Sequence, residues 1–286
     1  MELVQHLVPT TSNDTMPWPE AVVMPIGDVQ CGIPQCDEDR LRRHIEWGLE
    51  HNAFFLGMGD YADMANPTDR KKLISANLND TTTQAITEKA ESDVERFLSL
   101  VKGTEGRWLG LLQGHHYMTF PDGTTSDTRI AKVLNAPFLG DSAIVRIVLC
   151  QGTVAQPLGV TCDVFVRHGS GSSTTEASAL TKVYRDAAVW EADIYLHGHH
   201  HRKVATKKPR TYMDGGGILR HRNTIMAVTG SFLRGYLQGS QTNGRAGGSY
   251  VEAMGLPPVT LGGIILYVRA AETNNGEGRL DINIGL

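Results

Sequence analysis

Phe54-Phe55-Leu56-Gly57-Met58-Gly59-Asp60 is the stretch that most constrains this chain. A short apolar run reads as a buried strand, and two glycines break it. Asp60 follows at once, then Tyr61-Ala62-Asp63. A carboxylate just past the end of a buried strand sits where open α/β sheets bind ligands. With two oxygens, Asp60 is able to hold one metal ion or bridge two. Our reading is a bridge, to which the rest of the chain brings further ligands.

The flanking chain alternates strand and helix. Ala21–Ile26 is an apolar strand ending in Gly27-Asp28-Val29-Gln30. Asp37 is a helix N-cap, with Arg40 where a capping box would carry Glu. Leu41, Ile45 and Leu49 then form one apolar face, which predicts a helix over 38–51. Helices are expected at 67–78, 83–102, 126–135 and 174–190. Strands are expected at 53–58, 108–112, 144–149, 162–166, 192–196, 202–212, 224–229 and 262–269. This alternation, richer in strands toward the C-terminus, predicts an α/β layered fold. Residues 1–19 carry prolines at 9, 17 and 19 and read as a loose N-terminal arm. Residues 20–286 read as a single domain, with a Gly/Ser-rich loop at 235–249.

The net charge of −4 excludes a protein that binds nucleic acid by overall charge, though it leaves room for a local basic patch. No run approaches the roughly 18 apolar residues of a membrane helix. The first residues lack the basic and apolar regions of a signal peptide. A cytoplasmic protein without a membrane partner is therefore expected, its four cysteines reduced. Cys31 and Cys36 have no second pair to complete a zinc site.

Residues suited to metal binding fall at five strand ends: Asp28 with Gln30; Asp60; His115 with His116; His168; and His199 with His201. Strands of one sheet bring such ends to a common edge although they are distant in sequence. Carboxylates and imidazoles together suit Mn, Fe, Zn, Co or Ni. About eight ligands exceed the need of one ion and suit two, held roughly 3.5–4 Å apart.

The motifs Gly27-Asp28-x-Gln30, Gly59-Asp60-x-x-Asp63, Gly114-His115-His116, His168 and Gly198-His199-x-His201 resemble the calcineurin-like metallophosphoesterases. That family's pattern is D-x-H, G-D-x-x-D, G-N-H, H and G-H-x-H, in this order. The resemblance spans residues 27–201. It implies a two-sheet αββα sandwich and a dinuclear, metal-dependent phosphoesterase acting by attack of a metal-bound hydroxide. Diesters are the favoured substrates, because no feature suggests a small closed monoester pocket and a basic run beside the site suits an extended polyanion. Asp28 and His201 would bind the first metal, with Gln30 beside them. Asp60 would bridge, and His115, His168 and His199 would bind the second. His116 would be the catalytic acid, contacting the scissile phosphate, and Asp63 would fix the local geometry by hydrogen bonding. Two positions depart from the pattern. Gln30 replaces a histidine and offers a weaker, neutral oxygen, which favours Mn. Family members similar to the manganese-dependent ADP-ribose/CDP-alcohol diphosphatases also carry Gln there. His115 replaces an asparagine.

Arg202, Lys203, Lys207, Lys208, Arg210, Arg220 and Arg222 face only one acid, Asp214, in residues 202–222. A solvated strand surface explains them; so does a path for a phosphate-rich substrate, because the run begins next to His201. Arg202, Lys203, Tyr117 and Arg234 are the candidate substrate contacts, and Tyr61 and Phe120 are candidates for stacking on a base. His197 reads as structural, with His200 pointing away from the ligands. The expected substrate is a phosphodiester, either a nucleotide or a nucleic acid. The alternatives are a nuclease of the same family and a scaffold that keeps the fold without catalysis.

Overall fold

The computed structural model describes residues 2–8, 20–65, 67–76, 78–151, 158–239, 241–242, 245–246, 250–272 and 278–286. In chain order, β1 (Glu2–Val8) and β2 (Glu20–Ile26) lead to α1 (Glu38–Glu50) and β3 (Phe54–Gly57). Then come α2 (Pro67–Ser75), α3 (Asp80–Leu100), β4 (Trp108–Leu112), α4 (Ser126–Val133) and β5 (Phe138–Gly140). The middle of the chain is β6 (Ser142–Gln151), β7 (Leu158–Arg167), α5 (Glu176–Ala187) and β8 (Ile194–His197). A long hairpin follows, β9 (Lys203–Met213) with β10 (Leu219–Ser231). The last elements are β11 (Gln241–Thr242), β12 (Arg245–Ala246), α6 (Tyr250–Ala253), β13 (Gly262–Gly263), β14 (Ile265–Glu272) and β15 (Gly278–Gly285).

The result is a mixed α/β structure with two large sheets. One runs β15-β14-β2-β3-β4-β5; the other runs β1-β6-β7-β8-β10-β13, with β9 beside β10. A dry core of aliphatic side chains draws on both sheets: Leu56, Leu109 and Leu266 from the first, Val145, Val164, Leu196 and Ile225 from the second. A second core joins the first sheet to α1, α3 and α4 through Leu41, Ile45, Phe97 and Ile130. A third joins β7, β8 and β10 to α5 through Ala179 and Val183.

Local chemistry starts the helices where the sequence predicts. Asp37 accepts the Arg40 amide at 3.2 Å to cap α1. Thr175, within the Ser/Thr cluster, caps α5 with a reciprocal Ser178 bond. Asn79 caps α3, which starts at Asp80, three residues upstream of the predicted start.

Three readings are corrected. The arm at 1–19 is not wholly loose, because Glu2–Val8 pairs in parallel with β6; residues 9–19 lie outside the described residues. A central partner supplies the hydrogen bonds that this polar-looking stretch gives no sign of. The single strand expected at 262–269 is two. Gly262–Gly263 pairs with β10 in one sheet, and Ile265–Glu272 pairs with β2 in the other, so the chain changes sheets at Ile264. Within the expected Gly/Ser-rich loop, Gln241–Thr242 and Arg245–Ala246 pair as a short antiparallel ribbon, while 240, 243–244 and 247–249 lie outside the described residues.

Tyr61 is fully buried against Phe97 and donates its hydroxyl to the Leu112 carbonyl at 2.8 Å. It braces the end of β4 and is not open to a base. Phe120 is likewise buried. Tyr61→Phe strands the Leu112 carbonyl and should lower stability by about 1–2 kcal/mol. Urea unfolding with an unchanged m value checks this; an unchanged midpoint would mean the hydroxyl is not bonded.

Candidate metal centre

Parallel pairing is what assembles the site. β2, β3 and β4 are parallel neighbours, as are β7, β8 and β10. Asp28, Asp60 and His115 follow the ends of the first three strands, and His168 and His199 follow β7 and β8. All these residues therefore emerge at C-terminal strand ends.

The turns that carry them are strained. Among the described residues, seven that are not glycine have positive φ, and five of these are Asp28, Gln30, Asp60, His199 and His201. The remaining two are Asn52 and Asn135, a residue type that tolerates this region. Such backbone costs on the order of 1–3 kcal/mol per residue and persists where the surroundings enforce it. Here the enforcement is visible. The Asp28 amide donates to the Gly59 carbonyl at 3.0 Å, and the Gln30 amide to the Asp60 carbonyl at 3.0 Å. The Asp28 carbonyl accepts from Ser231 Oγ at 2.8 Å and from the Phe232 amide. Gly114 is obligatory: a Cβ there would collide with the backbone N and Oδ1 of Asp60.

Among the described residues, two sets of three ligand atoms lie within 4.8 Å of one another, His115–His168–His199 and Asp28–Asp60–His168. They share His168. Asp60 Oδ1 accepts the amides of His115 and His116, while Oδ2 lies 3.2 Å from His168 Nε2. Asp28 Oδ2 accepts the His199 amide at 2.8 Å, and Oδ1 lies 3.3 Å from His201 Nε2. His115 and His199 approach to 3.2 Å between their Nδ1 atoms. Gln30 is buried beside Asp60 through its backbone.

Two atoms test whether this donor set fits a metal. Asp28 Oδ1 and His168 Nε2 are buried and make no hydrogen bond within the protein. Their ion-pair distances do not bring hydrogen-bond geometry. Buried polar atoms normally find a partner, so a buried carboxylate oxygen and a buried imidazole nitrogen left without one, on residues of a single ligand set, fit a cation. His168 Nδ1 bonds the Met58 carbonyl at 2.7 Å, which turns Nε2 toward the cluster, an arrangement common to metal-bound histidines.

The electrostatics agree. Burial opposes a charged His168, but the Asp60 carboxylate outweighs it and raises the ring to about 9. The centre therefore favours positive charge. Burial lowers His199 to about 4, with the neighbouring His168 and His115 adding repulsion. Burial also lowers His115, again helped by His168. Those two rings stay neutral, the state that ligates metals. Candidate metal-binding residues are thus present.

His116 stands at the rim with its side chain 28% exposed, its Nδ1 bonded to Asp63 Oδ1. Burial works against its charged form, but the Asp63 bond and the Asp60 charge prevail and raise it. The other expected contacts have neighbours of their own. Arg202 is buried, donating to the Pro258 and Thr174 carbonyls. Arg234 pairs with Asp37. Lys203 lies near Arg40 and Gly262, and Tyr117 under Arg70. Arg210 bonds the Ala187 carbonyl, Arg220 pairs with Asp214, and Arg222 with Glu191 and Asp193. The basic run is thus largely the stem of the β9–β10 hairpin, held by its own neighbours. His197 is structural, bonded at 2.7 Å to Asp186, which Arg167 also pairs. His200 is buried against His199 with both ring nitrogens unpartnered, and burial lowers it to about 3.

Comparison with known proteins adds little. No family model and no curated protein matches the chain. Solved structures that align along its length include those of Vps29. The Chaetomium thermophilum protein is 10% identical, covers 95% of this chain and 97% of its own, and has a TM-score of 0.30. The Entamoeba histolytica protein, complexed with zinc, is 12% identical, covers 92% and 98%, and has a TM-score of 0.32. Likeness at this level carries no argument about the site, which is read from its own geometry.

Asp127 is the residue that sequence reasoning missed. It opens α4 behind the cluster, and its Oδ2 accepts the Gly114 amide at 2.8 Å. Burial raises this acid to about 6. An Asp in a first helical turn reads from sequence only as a partner of the helix dipole. Ser231 likewise gave no signal, because its role depends on β10 ending beside Asp28. Asp127→Ala frees the Gly114 amide and should weaken metal binding by roughly tenfold to a hundredfold. Calorimetric titration with Mn or Zn checks this; unchanged affinity would remove Asp127 from the support of the centre.

Proposed function

We propose that this chain is a metal-binding protein of the metallophosphoesterase type, its two sheets and outer helices forming that family's αββα sandwich. We read the centre as holding two divalent ions and hydrolysing phosphoesters. One observation carries this reading: two ligand sets meet at His168, with Asp60 beside it offering a second oxygen. Asp28, His201 and Gln30 would hold one ion, and His115, His168 and His199 the other, with Asp60 between. Divalent ions bound there supply Lewis acidity, which acidifies a water and neutralises charge on phosphate oxygens.

The chain's own residues supply the rest. The Asp60 carboxylate accepts the His115 and His116 amides and so ties the bridging position to the acid. Asp63 engages His116 Nδ1, which leaves Nε2 as the atom facing a substrate. As the bond from phosphorus to the leaving oxygen breaks, His116 Nε2 gives that oxygen its proton. A water oxygen forms the new bond to phosphorus and gives up one proton to solvent, from which His116 is reprotonated. The basic run does not strengthen a nuclease reading, since Arg210, Arg220 and Arg222 are engaged elsewhere.

A second reading is a metal-binding scaffold of the same fold without turnover. The engagement of Arg202 and Arg234 in internal contacts favours it, because it leaves His116 as the main organic group facing a substrate.

Chelator-treated protein, with Mn restored, should hydrolyse a bis-aryl phosphate diester, and a matched aryl monoester gives its preference. His116→Ala should keep its metal and lose on the order of 10²–10⁴ in rate on poor leaving groups. Asp60→Asn should lose metal and activity together. Metal binding with no hydrolysis of any ester would establish the scaffold reading. Loss of metal in His116→Ala would exchange the roles of His115 and His116.

A further inference from the structure

We infer that Arg70 is the positioning residue for His116. It belongs to α2, a helix that contributes nothing to the ligand sets. Its Nη1 donates to the His115 carbonyl at 2.6 Å and to the Tyr117 carbonyl at 2.9 Å, and also to the Ala65 carbonyl. Nη1 carries only two hydrogens, so at least one is shared. The guanidinium carbon lies over the Tyr117 ring, 3.8 Å from its centroid. One cation thus gathers the carbonyls on both sides of His116.

The rest of the His115–Tyr117 backbone is held from other directions. Asp60 takes the amides of His115 and His116, and the Met64 amide donates to the His116 carbonyl at 3.1 Å. Three protein segments therefore set the path of this turn. In the proposed centre, ligation would anchor His115 through its ring. His116 has no such anchor, and its placement rests on backbone alone plus the Asp63 bond. A shift of about 1 Å in a reacting group is enough to cost on the order of a hundredfold in rate. Arg70 suits the task because its planar fork both donates to several carbonyls and stacks on an aromatic face. A lysine would retain the charge and lose the stack.

The kinetic part of this inference rests on the hydrolysis proposed above; the structural part does not. The experiment therefore has two arms on the full chain, comparing wild type, Arg70→Ala and Arg70→Lys. In hydrogen exchange read by mass spectrometry, Arg70→Ala should speed exchange in a peptide covering 113–118 by roughly an order of magnitude. A peptide covering 54–60 should not change, and metal stoichiometry should match wild type. In the kinetic arm, kcat on a poor leaving group should fall by roughly tenfold to a hundredfold with KM unchanged. Arg70→Lys should fall between, and guanidinium ion at non-denaturing concentration should restore part of the Arg70→Ala rate. Wild-type exchange in 113–118 would overturn the inference, and so would a loss confined to KM. If wild type hydrolyses nothing, the proposed function fails, and the exchange arm alone decides Arg70.

Discussion

The Asp60 carboxylate is the interaction on which the site depends. One oxygen accepts two consecutive backbone amides from the turn after β4, and the other faces His168 after β7. Its own backbone sits at φ 53°, held by amides of the turn after β2. Three strand ends in two different sheets are thereby tied to one buried charge. Burying such a charge is costly unless it is compensated. Its compensation here is the amides, the imidazole and, in our reading, the ions.

This arrangement explains features that look unrelated along the chain. The concentration of left-handed backbone at Asp28, Gln30, Asp60, His199 and His201 follows from short turns that must aim side chains inward. The absence of a side chain at Gly114 follows from the closeness of the Asp60 backbone. Asp127 and Arg70 act on the same turn from behind and from the rim, one through an amide and the other through carbonyls. The turn that carries His115 and His116 is thus hydrogen-bonded along both backbone edges.

Much of this was legible in the sequence, because apolar runs ending in glycine and an acid or histidine have a direct meaning in α/β sheets. Asp28, Asp60, His115, His168 and His199 could be grouped without knowing which strands pair. What remained hidden depends on pairing across long separations. Strand β1 reads as polar chain until β6 is beside it, and residues 262–269 read as one strand although they serve two sheets. The basic residues of 202–222 suggested a substrate path because the sequence shows only one nearby acid. Glu191 and Asp193, which bind Arg222, come from the segment before β8. Arg70 and Asp127 were invisible for the same reason: each acts on backbone more than ten residues away.

In our reading, one bridging carboxylate holds two ions in a single centre. Electron paramagnetic resonance of the protein loaded with about two equivalents of Mn per chain tests it most directly. The expected spectrum is that of a magnetically coupled pair, which Asp60→Asn abolishes. The hyperfine pattern of isolated ions in the wild-type protein, unchanged by that substitution, would contradict it.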